Sequence, residues 1–261
     1  MVKGLANEDA ARIVAARGKA AYGSVEEVWR RAEVPPAALE KLADADAFAS
    51  LGLSRREALW QARGLGEAPL PLFAAAEDRS REPAVVLAAM TDGREVVEDY
   101  GAVSLSLRAH PLVFLRPELE RRGIRACADL ARVKDGGRVE IAGLVLIRQR
   151  PGKGNVTFIT LEDETGIANI ILWQRRFEEQ RRVVMGAAML GVKGVLQREG
   201  EVVHVIADRL EDLGGLLHSV GERQFPHHYA SADGAKGAAP DPREKKRDHE
   251  TVIRVKSRNF H

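Results

Sequence analysis

Apolar positions change their period twice along this chain. Up to about residue 66 they recur at helical spacing in short blocks. Val25, Val28 and Trp29 share one face of a segment that Ser24 and Glu27 open as a capping box, and Ser54 with Glu57 opens another. Leu39 and Leu42 lie in a helix begun by Pro35 and Pro36, with Gly23, Gly52 and Gly64 as punctuation. Blocks this short bury little alone, so residues 1–66 are expected to pack together as one helical region. Prolines, alanines and charges break the pattern over 67–82, which reads as a linker. Helical spacing resumes over 83–135. Thr91 caps a segment with Val96, Val97 and Tyr100, Pro111 opens one carrying Leu112, Leu115 and Leu119, and Gly123 ends it. A short helix from Ala126 to Arg132 then leads to the turn Asp135-Gly136-Gly137.

From Arg138 to Asp212 the period becomes that of strands. RVEIAGLVLIRQ, NVTFITLED, GIANIILW, AAMLGVKGVLQ and EVVHVIADRLEDL are apolar or alternating runs, and a polar helical stretch from Gln174 to Arg182 follows the third. Five strands with a helix at that place predict an oligonucleotide-binding (OB) barrel over 136–220. Gly143 and Gly194 interrupt strands one and four, where a small barrel bends and a side chain would obstruct. Beyond it, Ala, Gly, Pro and charges from His227 to Glu250 predict disorder, before a more ordered-looking VIRVKSRNFH. The expected fold is therefore α+β and multidomain: a helical region, a helical connector, a five-stranded OB barrel, and a flexible basic tail over 221–261.

Composition narrows the function classes. No apolar run approaches the roughly 18 residues of a membrane span, and the N-terminus MVKGLANEDA lacks a secretory pattern. The single cysteine, Cys127, excludes an internal disulfide framework or multi-cysteine zinc site, suits a reducing cytoplasm, and reads as a small buried residue. With 40 basic against 38 acidic residues the net charge is only +2, so any nucleic-acid signal must lie in how charge is distributed.

Several segments carry candidate chemistry. Val2-Lys3-Gly4-Leu5-Ala6 before NEDAARIVAAR is similar to the turn and second helix of a helix-hairpin-helix, in which backbone N–H groups at a helix start receive a DNA phosphate. Lys3, Gly4 and Ala6 are the candidate contacts; an ordinary helix start is the alternative, and VPPAALEKLADADAFASLG is a second segment open to both readings. In the barrel, Arg148, Arg150 and Lys153 sit with two glycines in the loop between strands one and two, where cations neutralise phosphates. Phe158 and Trp173 either stack bases or belong to the core, and Arg175 follows as a further candidate cation. Glu162-Asp163-Glu164 reads as turn structure rather than a metal site. Leu70, Leu72 and Phe73, in PLPLF, either fill a partner's pocket or dock within the chain. No catalytic triad, HExxH or phosphate loop is present, so no catalytic or metal residue is assigned.

The order of these segments resembles the C-terminal third of bacterial C-family DNA polymerases, in the error-prone branch of the polymerase III alpha-subunit family. VKGL, SVEEVWRRAEVPPAALEKLADADAFASLGLSRREALW, LPLF, DYGAVSLSLRAHPL and TFITLEDETGIANIILW carry the likeness across nearly the whole chain. It is weakest from Ala230 to Glu250. The piece from Asp99 to Leu112 is the most telling, and the terminal KSRNFH is similar to that branch's ending, with Asn259 where Asp is usual. The resemblance implies a parent DNA-directed DNA polymerase for repair-associated translesion synthesis and damage-induced mutagenesis, with palm aspartates holding magnesium outside these residues. It implies for this chain a non-catalytic role on duplex and single-stranded template DNA. LPLF is similar to the peptide that binds the sliding clamp. An interaction module recruiting clamp or mutasome partners, or a tRNA-binding OB module like that of class II aminoacyl-tRNA synthetases, are the competing readings.

Overall fold

The computed structural model describes residues 1–18, 20–65, 87–152, 154–200, 202–226, 253 and 258–260. They fall into two compact units, one from Met1 to Met90 and one from Thr91 onward. The first unit holds α1 (Asn7–Arg17), α2 (Val25–Ala32), α3 (Pro36–Asp44) and α4 (Arg55–Gly64). None of them is long enough to be stable alone, and their shared core of Val25, Val28, Leu39, Phe48, Ala58 and Ala62 supplies what propensity lacks. The Ser54–Glu57 capping box is complete. At α2 the Ser24 hydroxyl accepts from the Glu27 N–H at 3.0 Å, but the Glu27 carboxylate reaches one residue further back and accepts from the Gly23 N–H at 2.6 Å. Arg31 donates to the last carbonyls of α1, Ala16 at 2.8 Å and Arg17 at 3.1 Å, while its guanidinium lies 4.6 Å above the Tyr22 ring. One arginine thus ties α1 to α2.

The second unit contains α5 (Asp92–Val103), α6 (Leu112–Arg121), a 3-10 turn over Cys127–Arg132, and strands β1 (Arg138–Gln149), β2 (Val156–Asp163), β3 (Gly166–Trp173), β4 (Met189–Glu199) and β5 (Val202–Asp212). Pairing runs β1-β2-β3-β5-β4 and back to β1, a closed five-stranded barrel. Two helices, α7 (Gln174–Glu179) and α8 (Arg181–Gly186), follow β3 and place Phe177 and Val184 in the inner core with Ile141, Ile159, Leu161 and Ile170. Gly143 and Gly194 are required by close approach: a Cβ on Gly194 would stand 2.1 Å from the Ile206 carbonyl oxygen, and on Gly143 2.8 Å from that of Glu162.

A second core lies on the barrel's outside. Val96, Leu115 and Leu119 of α5 and α6 pack with Ala142, Leu144, Met189 and Leu213. The segment expected as a separate connector therefore shares one core with the barrel, each large side chain there contributing roughly 1.5–3 kcal/mol. The expectation of a flexible tail from residue 221 is corrected at both of its ends. After α9 (Gly214–Leu217) and a 3-10 turn over Val220–Glu222, the Phe225 ring stacks on Phe114 with centroids 5.0 Å apart. Ile253 is buried in the same outer core, and β6 (Arg258–Phe260) pairs in parallel with residues 147–149 of β1. Average composition hid these apolar anchors among polar neighbours.

Candidate nucleic-acid interface

At the N-terminus Gly4 adopts φ +76°, and Ala6 is the N-cap of α1, its carbonyl accepting from the Ala10 N–H at 3.1 Å. The first-turn N–H groups have no partner within the helix. Lys3 and Gly4 are exposed, and the Lys41 methylenes lie 3.5 Å from where a Gly4 Cβ would stand. Glu8 and Asp9 also occupy the first turn, and Glu8 binds Arg12 at 2.6 Å. An anion approaching here meets the Gly4 turn and the lysines on one side and two carboxylates on the other.

The barrel's outer surface is organised in rows by strand register. One row runs Gln149, Phe158, Ile171, Ile206, Val195 and Arg138 across β1, β2, β3, β5, β4 and again β1. Its middle is apolar. Phe158 is 39% exposed, and Trp173, diagonal to it on β3, is 51% exposed. Both aromatics, open at the sequence level between core and surface, lie on the surface. Toward α7 the next positions are Trp173 leading into Arg175, and the cross-strand set Glu140, Lys193 and Arg209; Arg150, just past β1, shares the inward parity of Arg148 and lies against Phe177 at the barrel's end. On the opposite side lies a polar row, Thr160, Asn169, His204 and Gln197. Rows are separated by two residues of strand, about 7 Å.

Arg175 is exposed and paired with Glu179 at 3.0 Å, and Lys193 is paired with Glu140 at 3.0 Å. Exposed pairs of this kind are worth little and exchange readily for phosphate. Arg150 is half-buried, its guanidinium 5.4 Å from the Phe177 ring centre and its Nε donating to the Gly154 carbonyl at 3.3 Å. Arg148 requires a correction. It is 6% exposed and donates to the carbonyls of Val184 and Ala187, inside the end of the barrel. The cause is a bulge: Val145 faces Leu161 but Ile147 faces Thr160, so Leu146 is an extra residue and the side-chain alternation flips after it. Burial lowers the Arg148 pKa. Lys153, Leu70, Leu72 and Phe73 lie outside the described residues. Arg138, Lys193, Arg209, Asn169 and His204 were not singled out by sequence, because their shared face depends on register between distant strands.

The acidic turn is structural. Arg116, on α6, donates to Glu164 Oε2 at 2.9 Å and to Asp163 Oδ2 at 3.1 Å, with both carboxylates buried. Burial raises the Asp163 pKa, but bonds from Thr165 and the Cys127 N–H, with Arg116, outweigh it and hold it below the ordinary carboxylate value. Burial pushes the Cys127 thiol up, so it stays protonated. His110 is lowered to about 4 by burial, and its Nδ1 accepts from the Leu112 N–H at 3.2 Å. Among the described residues no group of His, Cys, Asp and Glu could hold a metal ion.

Residues 1–58 match the helix-hairpin-helix motif, and residues 139–213 match the OB-fold nucleic acid binding domain. The chain is 53% identical to Error-prone DNA polymerase 1 of Agrobacterium fabrum, over 100% of this chain and 26% of that protein. It is 48% identical to Error-prone DNA polymerase 2 of Rhizobium meliloti, with the same coverage. Among solved structures, asparaginyl-tRNA synthetase from Pyrococcus horikoshii aligns with 30% of this chain and 20% of its own, at 22% identity and a TM-score of 0.26. The chain thus spans about a quarter of the length of the curated relatives it matches.

Proposed function

We propose that this chain, homologous along its full length to the C-terminal quarter of error-prone DNA polymerases, is the portion of such an enzyme that holds DNA while catalysis resides elsewhere. The barrel's outer face takes the single-stranded template of translesion synthesis, and the Gly4 turn takes duplex phosphates without reading sequence. The observation that carries this reading is the exposure of Phe158 and Trp173 beside one apolar row with cations on its flank. Surface aromatics on a barrel are a stacking platform, and stacking tolerates any base, damaged ones included. A parent polymerase would hold magnesium on its palm aspartates.

Fluorescence anisotropy of the purified chain on a labelled single-stranded oligonucleotide tests this. Log affinity should fall with log salt by about 0.7 for each phosphate neutralised. Trp173→Ala and Phe158→Ala should each weaken binding by about fivefold to a hundredfold, from roughly 1–3 kcal/mol per stacked base. Binding indifferent to both salt and these substitutions would sink the proposal. Primer extension by the chain alone should stay at background.

A further inference from the structure

We propose that the strand lies on the barrel in one orientation, with phosphates toward α7 and base edges toward Thr160, Asn169, His204 and Gln197, so that the face reads unpaired bases as well as gripping a backbone. This rests on the reading that the face binds single-stranded DNA. The two flanks of the apolar row differ in kind. On the α7 side stand Arg209, which has no ion pair among the described residues, and Arg175 and Lys193, whose exposed pairs with Glu179 and Glu140 exchange readily for phosphate. On the other side stands the polar row, and beyond it Glu162 and Glu199 at the far ends of their strands. A phosphate backbone placed over the polar row would sit beside those carboxylates. Placed over the cations beyond Trp173, it leaves bases stacked on Trp173 and Phe158 and lying over Ile171 and Ile206, with their edges pointing at the polar row.

The polar groups are short of partners. Thr160 and Asn169 make no side-chain hydrogen bond among the described residues; His204 Nδ1 has none either, but that nitrogen is buried beneath the row, so the rest of the ring is what the face can present. Gln197 donates its amide to Glu199 at 2.9 Å and keeps its oxygen as acceptor. Hydroxyl, amide and imidazole side chains are the groups that pair with donors and acceptors of an exposed base edge. A duplex, whose Watson–Crick edges are occupied, offers only its groove edges, which a flat barrel face reaches less readily than a splayed single strand.

Competition anisotropy on the full chain separates the possibilities, using homopolymer oligonucleotides and an abasic strand of equal length. The wild-type chain should prefer base-bearing strands by about tenfold or more and rank the homopolymers unequally. Asn169→Ala and His204→Ala should flatten that ranking while leaving the salt slope unchanged; Asn169→Thr, a strand-favouring change, guards against an unfolded variant. Lys193→Glu with Arg209→Glu should do the reverse, lowering the slope and keeping the ranking. A ranking that survives both substitutions in the polar row overturns the inference alone; equal binding of base-bearing and abasic strands removes base stacking too, and with it both the inference and the stacking platform it rests on. No single-strand binding by the wild type overturns the DNA-holding reading and this inference together.

Discussion

Substituting Arg148 by Met discriminates an internal structural arginine from a phosphate contact. Its guanidinium donates to the carbonyls of Val184 and Ala187, at the C-terminal end of α8 where backbone acceptors have no helical partner. Methionine keeps most of the stem and relieves the burial of a charge, but it leaves both acceptors without a donor. An unsatisfied buried group costs about 1–3 kcal/mol, so the barrel should lose about 2–4 kcal/mol once the relieved desolvation is set against two such groups. Hydrogen exchange of the β2 and β3 amides would read that as protection lowered by about thirtyfold to a thousandfold. The salt slope of DNA binding should not change. Arg209→Glu is the counterpart: Arg209 is exposed, so stability should move by no more than about 0.5 kcal/mol while the slope falls by about 0.7. A stable Arg148→Met chain with a shallower slope would refute the burial and restore Arg148 to the DNA surface.

Three further outcomes are expected. His110 titrates near 6.5 when unfolded, and burial lowers it to about 4 in the fold, where Asp163, Glu164, Glu162 and Arg116 are its charged neighbours. The unfolded chain therefore binds the extra proton between these values; the contribution is complete above about pH 6.5 and is lost as pH falls toward 4, by about 3 kcal/mol in all. Urea unfolding from pH 7 to 4.5 should show that slope, and His110→Asn, which keeps an acceptor for the Leu112 N–H, should reduce it. Gly194→Ala should prevent barrel closure, since its Cβ would stand 2.1 Å from the Ile206 carbonyl oxygen, whereas Gly64→Ala, with open space at the end of α4, should raise the melting point of its own unit slightly. Asp163→Asn should destabilise the second unit by about 3–5 kcal/mol, because it weakens the partner of buried Arg116 and leaves an amide facing the Cys127 N–H; a change under about 1 kcal/mol in urea unfolding would contradict that.

The elements were legible in sequence where one local rule sufficed. Ser54 with Glu57, Thr91 before α5, Pro36 at the start of α3 and the five strand runs all form where spacing and capping place them. The two barrel glycines were legible for the same reason, since a glycine inside an apolar run has few other uses. What required the structure was parity and register. A single extra residue, Leu146, reverses which side of β1 Arg148 occupies, and no periodicity in RVEIAGLVLIRQ marks it. Asn169 and His204 become neighbours only through the parallel pairing of β3 with β5, strands separated by two helices and β4. The telling segment from Asp99 to Leu112 gains a physical account as well. Ser106 donates to buried Asp99 at 2.7 Å and His110 caps α6, so the peptide is fixed by its polar residues while Leu105 and Leu107 remain exposed.

Near-neutral net charge does not oppose strand binding, because the two signs of charge are used differently. Several acids are engaged away from the barrel's rows: Asp163 and Glu164 hold Arg116, Glu118 binds both Arg122 and Arg223, and Asp99 accepts from Ser106. Arg138, Arg182 and Arg209 are exposed and carry no ion pair among the described residues. Charges further than about 8 Å from a phosphate are largely screened at physiological salt, so a bound strand responds to the row beneath it and hardly to the sum over 261 residues. The internal pairs also fix the acidic turn against α6, away from the cationic flank. On the cationic flank Lys193 and Arg175 hold only exposed partners, Glu140 and Glu179, which a phosphate can displace, and Arg209 has none among the described residues.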